Sequence, residues 1–491
     1  MRRPRSLRTA FAVVLALTAP ACGNKSNNLV KVLAIGQPAE PFAGGVRLAP
    51  PGQLVRAATA EGLVGFDAQG RVIPALADRW IVTDDGQTYI FRLRDGTWRD
   101  GSPLTGESAR AALRQALLAL RGTALGLDLA PVDEVRAMAA RVVEIRLAQP
   151  MPDFLQLLAQ PELGLLRRGE GAGPMALARS GDVALLTPIP PDKLGLPAEA
   201  DWAARARSVR LEAVAAETAV QRFGNGQADV VLGGRVETFP RATAAGLTRG
   251  AIRIDPVAGL FGLVVLREDG FLATPENREA LALAIDREGL IGALGVGGWT
   301  PTTRIVAPGS EGDGGVNGER WTALNLAQRR AAAAERVRRW QGGRNPPLAL
   351  RIALPQGPGA DILFARLQGD FAVIGVQAAR VPLDAPADLR LLDAVARFPR
   401  IDWYLNQLSC AILRGLCSPA ADATVAAAAA TVEPAGRTTL LAQAEAELTA
   451  VNVFIPFGPP IRWSLVSGNA SGFTVNRVGV HPLMALAMRP G

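Results

Sequence analysis

The stretch that decides the fold reads Val72-Ile73-Pro74-Ala75-Leu76-Ala77-Asp78-Arg79-Trp80, then Asp84-Asp85-Gly86-Gln87-Thr88-Tyr89-Ile90-Phe91-Arg92-Leu93-Arg94-Asp95-Gly96, then Asp100-Gly101-Ser102-Pro103-Leu104-Thr105. Strand-like segments between Gly70 and Trp98 are separated by turn signals. Asp84-Asp85-Gly86 supplies a hairpin turn, and Thr88 to Leu93 alternates as a half-buried strand does. A meander follows from that pattern. Thr105 then offers a side-chain oxygen to the first turn of a helix running through Leu113, Leu117 and Leu120, and Glu107 stands where the helix dipole favours an acid.

Strand and helix patterns keep alternating on either side. Lys31 to Ile35 is a short apolar strand, and the Pro- and Gly-rich run from Gln37 to Gly52 reads as a coreless loop. Thr274-Pro275-Glu276 has the cap, first-turn proline and first-turn acid of a helix start, with Leu281 and Ile285 on one face. A second helix is expected from about Ala323 to Trp340. An Ala-rich helical region spans Asp422 to Ala450, with a break at Pro434-Ala435-Gly436. Over 491 residues this mixture indicates an α/β protein of more than one lobe.

The formal charge is +8, and Arg2, Arg3, Arg5 and Arg8 supply half of it before any acid appears. The other basic residues are interspersed with acids, so no nucleic-acid footprint is expected. Those arginines, the apolar run from Ala10 to Leu17 and the small residues Ala19 and Ala21 form an export signal over residues 1–21. No later stretch is apolar and long enough to span a bilayer. Cleavage has two routes, after Ala19-Pro20-Ala21 or by acylation of Cys22. Lipidation of Cys22 leaves Cys410 and Cys417 as an even pair suited to an oxidising compartment. Residues 22–29 then form a polar tether.

Catalytic handles are scarce. The single histidine, His481, reads as a surface or packing residue, which removes Ser-His-Asp and Cys-His chemistry. Zinc and phosphate-loop motifs do not occur, and Gly295, Gly297 and Gly298 follow a helix where a dinucleotide turn needs a strand. Glu311, Asp313, Asn317 and Glu319 offer oxygen ligands, but their spacing is not that of an EF-hand, and a solvated Gly-rich loop is the expectation. No cofactor is called for.

The quoted strings resemble the signature of the family 5 extracellular solute-binding proteins, the group that contains the dipeptide- and oligopeptide-binding proteins. Asn277-Arg278-Glu279-Ala280-Leu281-Ala282-Leu283-Ala284-Ile285-Asp286-Arg287 is similar to a second family stretch. Weaker echoes are Gly171-Ala172-Gly173-Pro174, Gly226-Gln227-Ala228-Asp229-Val230 and Phe454-Ile455-Pro456-Phe457. Most of these residues build the fold: Pro74 and Trp80 as packing and turn residues, Asp286-Arg287 as a helix-end ion pair. The chain departs from the family at Leu266-Arg267, and with only two tyrosines it has less aromatic surface to offer a peptide.

The resemblance implies a bilobed, periplasmic-binding-protein-like fold. A discontinuous first lobe comes from 30–61, 173–270 and 456–491, a small inserted domain from 62–172, and a second lobe from 271–455, with a two-strand hinge between the lobes. It also implies the extracytoplasmic substrate-binding component of an ABC-type importer. Such a monomer is tethered to the membrane by its lipid, captures short peptides between its lobes and passes them to the permease's transmembrane subunits. A non-peptide solute, an oligosaccharide or a metal chelate, is the alternative, and an enzyme the less favoured one. Leu408-Ser409-Cys410 to Cys417 followed by Asp422 is similar to a cysteine-bracketed loop of dipeptide-binding members, which implies a Cys410–Cys417 disulfide. Their acid before the cysteine pairs with the ligand's α-amino group. Asp402 is matched to it across a one-residue gap, with Trp403, Tyr404 and Asn406 beside it as ligand-binding residues.

Overall fold

The computed structural model describes residues 28–248, 250–343 and 347–490, so Cys22 and the leader lie outside the described residues. The opening stretch supplies two strands of a four-stranded antiparallel sheet in the order Ala77–Val82, Thr88–Leu93, Val142–Leu147, Val132–Ala139, while Val72–Pro74 leaves the expected meander and pairs with Val64–Phe66 in a separate two-stranded sheet. Its turn works as read: Gly86 has φ +67° and the Asp85 carboxylate accepts from Gln87 N at 2.9 Å. Thr105 caps helix Gly106–Ala119 by accepting from Ser108 N at 3.1 Å. Phe91 and Leu93 are fully buried beneath it, which is what alternation on a one-sided sheet requires.

Two larger sheets carry the lobes. The seven-stranded sheet runs Met175–Ser180, Val183–Pro188, Ser208–Val214, Leu29–Ile35, Val230–Arg235, Arg462–Val466, Ile252–Ile254. It gathers strands from three distant parts of the chain. The five-stranded sheet runs Gln377–Pro382, Ala349–Leu354, Leu389–Val395, Gly259–Val265, Phe454–Gly458. The chain therefore passes between the sheets twice, across residues 255–258 and again across 459–461.

Strand pairing shifts the crossings from those expected at 270/271 and 455/456. Gly259–Val265 is buried at every position because both its neighbours belong to the second lobe, and a strand with a neighbour on each side and packed faces cannot end a lobe. At the first crossing Gly259 has φ +149°, and a Cβ there would stand 2.1 Å from the Ala394 carbonyl oxygen, so only glycine lets the strand start so close to its neighbour.

Other local expectations shift for identifiable reasons. Helix Pro50–Thr59 begins inside the supposed loop, because proline fits the first helical turn, and Pro51 and Gly52 are buried. The Ala-rich region is two helices, Pro419–Ala430 and Pro434–Val451. Pro434 starts the second one, behind Glu433, whose side chain accepts from Ala435 N and Gly436 N. Asp286 and Arg287 are no ion pair with each other. Asp286 accepts from Gly289 N at 2.9 Å, while Arg287, its pKa lowered by burial to about 9, donates to the Pro456 and Ala282 carbonyls. His481 is buried rather than superficial, 3.0 Å from Asp255 and stacked on Phe473.

Candidate functional site

Helix Ile401–Gln407 packs on helix Ala124–Asp128 of the inserted segment, and here the second lobe meets the rest of the molecule. Phe398 and Pro399 lead into the helix, and its apolar positions Ile401, Trp403, Tyr404 and Leu405 are buried. Trp403 and Tyr404 are fully buried, with ring centroids 5.0 Å apart and edge-on. They belong to one contiguous apolar cluster with Phe91, Leu125 and Phe154 of the inserted segment. Trp403 Nε1 is buried without a hydrogen-bond partner.

A band of charge runs beside this apolar contact. Asp402 Oδ1 accepts from Arg400 Nε at 3.4 Å and Oδ2 from Arg437 Nη2 at 3.3 Å. The expected amine anchor is therefore occupied on both oxygens by guanidinium groups of its own lobe. Arg400 also reaches Glu311 at 3.0 Å and Asp153 of the inserted segment at 3.5 Å. Asn406 Nδ2 donates across the boundary to Asp128 Oδ1 at 3.1 Å. Asp128 is 1% exposed, and Arg397 Nη1 stands 4.0 Å from its Oδ2. Burial disfavours the ionised carboxylates more than these guanidiniums favour them, so Asp128 is pushed up to about 7 and Asp153 to about 6.

The Cys410–Cys417 segment closes the site on one side. Its sulfurs are bonded at 2.16 Å. Asp422, in the first turn of the following helix, accepts from Cys410 N at 2.9 Å and Ser409 Oγ at 3.2 Å. Leu416 N donates to the Val265 carbonyl at 2.8 Å. The segment is thereby tied to the strand that leaves the hinge, and Arg414 is held by Gln407 Oε1 at 2.8 Å.

Arg397, Ile412 and Arg414 line one side of a cavity of about 550 Å3. Leu125 and Glu162 of the inserted segment line another, and Arg47, Leu48 and Gln53 of the first lobe complete it. All three parts of the chain contribute, and the volume falls in the ~300–1,000 Å3 range of small-molecule sites. The sequence reading placed Asp402, Trp403, Tyr404 and Asn406 in the site. The structure brings them to the lobe boundary, but as a buried core and an ion-pair band rather than as the cavity lining. It missed Asp128, Glu162, Arg397 and Arg414. An acid inside the apolar run Ala124-Leu125-Gly126-Leu127-Asp128-Leu129-Ala130 was the available signal for the first.

The supposed solvated loop carries a structural network instead. Arg304 makes paired bonds to Asp313 at 2.9 and 3.1 Å and another to Glu445 at 2.8 Å, while Glu319 accepts from Thr302 and from Thr303 N, both at 2.6 Å. The Asp313 carboxyl lies below its usual range, held there by its hydrogen bonds from Arg304. Among the described residues no group of three or more His, Cys, Asp or Glu side chains is placed to hold a metal ion.

Two sheets joined by two crossings, with a cavity at their boundary, define a bilobed binding-protein fold. The chain belongs to the bacterial extracellular solute-binding proteins, family 5, whose middle region matches residues 71–390. It is 37% identical over 125 residues to the "Probable deoxycholate-binding periplasmic protein YgiS" of Escherichia coli strain K12, covering 21% of this chain and 23% of that protein. It is 38% identical over 103 residues to the nickel-binding periplasmic protein of the same strain, covering 21% and 20%. The chain thus matches only about a fifth to a quarter of the length of these curated relatives. In structure it is similar to Haemophilus influenzae OppA in complex with RPPGFSPFR, with TM-score 0.79 and 18% identity over 94% of this chain and 99% of that one. That likeness confirms the fold.

Proposed function

We propose that the protein is the exported substrate-binding component of an ABC-type importer, that it captures short peptides between its lobes and that it performs no covalent chemistry. The observation that carries the reading is the 550 Å3 cavity lined by both lobes and the inserted segment. A solute held there touches surfaces that separate on opening, so it favours the closed form by its differential contacts. Only the closed, loaded form then docks on the permease. An extended dipeptide spans ~7 Å and a tripeptide ~10 Å, which suits a cavity of this size. The amine role expected of Asp402 passes to another carboxylate, since Arg400 and Arg437 already neutralise it. Native mass spectrometry of the purified protein, followed by calorimetry with di- and tripeptides, tests the reading. One-to-one peptide binding is expected. Silence toward peptides together with binding of deoxycholate or a nickel chelate would replace it with the non-peptide alternative.

Acylation of Cys22 and a monomeric state complete the proposal. Cys22→Ser is expected to move the protein from the membrane to the soluble fraction, and unchanged fractionation would sink the lipid anchor. The Cys410–Cys417 bridge is checked by a thiol assay on the denatured, unreduced protein, in which neither cysteine should react.

A further inference from the structure

A second, smaller cavity of about 190 Å3 lies where the inserted segment rests on the first lobe, and it shares no lining residue with the cavity between the lobes. The inserted segment gives its wall Arg94, Trp98 and Arg99, and the first lobe gives Ile189 and Lys193. Three cations therefore line it, and none of the residues around it is acidic. Close backbone approach fixes the walls. Gly195 has φ +75°, and a Cβ there would stand 1.6 Å from the Asp95 carbonyl oxygen. A Cβ on Gly173 would stand 2.4 Å from the Thr59 carbonyl carbon, so both flanking segments lie against their neighbours at distances only glycine permits.

The three cations are incompletely matched by protein groups. Arg94 is 5% exposed. Its Nη1 donates to Glu61 Oε2 at 2.7 Å and to the Ala75 carbonyl at 3.0 Å, and its Nη2 to the Ala172 carbonyl at 3.1 Å. Arg94 Nε is buried with no acceptor. Arg99 Nη2 donates to the Met175 carbonyl at 3.1 Å, and among the described residues no carboxylate forms an ion pair with it. Lys193 pairs with Asp192 at 3.8 Å with both side chains exposed, a contact that neutralises little.

A buried guanidinium N–H costs free energy when unmatched. An oxyanion presents several acceptor oxygens at once, which suits two guanidiniums and an ammonium converging on one small space. Size narrows the choice. At ~30 Å3 for each water, the cavity holds roughly six water-sized groups, enough for a tetrahedral oxyanion and less than the ~300 Å3 at which sites for larger solutes begin. We propose that this junction binds a small inorganic oxyanion, phosphate or sulfate, on Arg94, Arg99 and Lys193, and that the anion fastens the inserted segment to the first lobe. No residue of the second lobe lines the cavity. The anion is therefore held equally in the open and closed forms, and it stabilises the fold without shifting the affinity for a solute between the lobes.

The test is titration calorimetry with sodium phosphate, sulfate and chloride at matched ionic strength and with glycerol 3-phosphate, alongside thermal unfolding in each. The mature protein is compared with the double variant Arg99→Gln/Lys193→Gln. Both replaced side chains are exposed, and the buried Arg94 stays in place to keep its contacts. Phosphate and sulfate are expected to bind saturably and chloride not at all, with a saturable rise in Tm. Binding is expected to weaken roughly tenfold or more in the double variant, as for loss of charge-assisted contacts. Strongly hydrated anions stabilise folded proteins by exclusion from the surface, without saturation. A Tm rise that is linear in salt and equal in the two proteins, with no binding heat, overturns the site. Binding that Arg414→Gln weakens and the double variant does not moves the anion to the cavity between the lobes and overturns it too. Tighter binding of glycerol 3-phosphate than of phosphate overturns the inorganic assignment, and a peptide affinity that changes with phosphate overturns the independence of the two cavities.

Discussion

Residues 77–105 carry nine charged and four aromatic side chains and residues 396–417 four and three, and the two stretches use them differently. In the first stretch the turn and cap partners are close in sequence, Asp85 with Gln87 and Thr105 with Ser108, and Phe91 alternates with the less buried Ile90 and Arg92, although Arg94 and Tyr89 also reach Glu61 and Met151. In the second the contacts across the lobe boundary reach far along the chain. Asn406 bonds Asp128, Arg400 approaches Asp153 and Glu311, and Trp403 packs into a cluster that includes Phe91. The first stretch is specified by backbone and turn chemistry, the second by what the rest of the chain brings to it. An aromatic or an acid in the second kind of region does not disclose from sequence whether it faces a ligand or a core.

The sharpest way to break this contrast is Trp403→Ala. As a fully buried core residue it should cost roughly 3 to 5 kcal/mol of stability in urea denaturation. A loss below about 1 kcal/mol, with a large loss of solute affinity, would return Trp403 to a ligand-facing role.

Asp128 tests the charged half of the boundary. Its folded pKa of about 7 is above the ordinary value near 3.9, so between those pH values the folded state holds more protons than the unfolded one and stability falls as pH rises. The cost is fully present above about pH 7 and is relieved on acidification. Asp128→Asn should therefore be more stable than the wild type at pH 8 by about 1 to 3 kcal/mol, and the advantage should shrink as the pH drops below about 7 and be lost at about pH 4. Parallel stability profiles for the two proteins across pH 5 to 8 would show that Asp128 is not held neutral by burial.

Thr105→Ala addresses the locally specified region and should cost about 1 kcal/mol, the usual worth of a side-chain N-cap. The same substitution should leave solute affinity unchanged, since the cap lies in the first turn of a helix outside the cavity lining. A change in affinity larger than the change in stability would couple the inserted sheet to the site. Smallest of all, Asp402→Asn should cost less than about 1 kcal/mol, because its carboxylate shares Arg400 with two other acids in a partly solvated band. A binding loss of thirtyfold or more in that variant would restore Asp402 as the amine anchor.

The sequence alone determined the mixed α/β class, the hairpin around Asp84-Asp85-Gly86, the capped helices after Thr105 and Thr274, and membership of a binding-protein family. Each of these rests on residues a few positions apart, where periodicity, cap chemistry and turn geometry act directly. It placed the site near Asp402 to Cys417 but not on its lining residues. Glu162 and Arg414 are separated in sequence by a large part of the first lobe and most of the second, and nothing local distinguishes them from other acids and arginines. Only the tertiary structure decided that Gly259–Val265 belongs to the second sheet, that Asp402 is neutralised within its own lobe, and that a carboxylate and two guanidiniums face one cavity. The reason is that pairing, burial and desolvation depend on distances between segments, and the folded chain alone sets those distances.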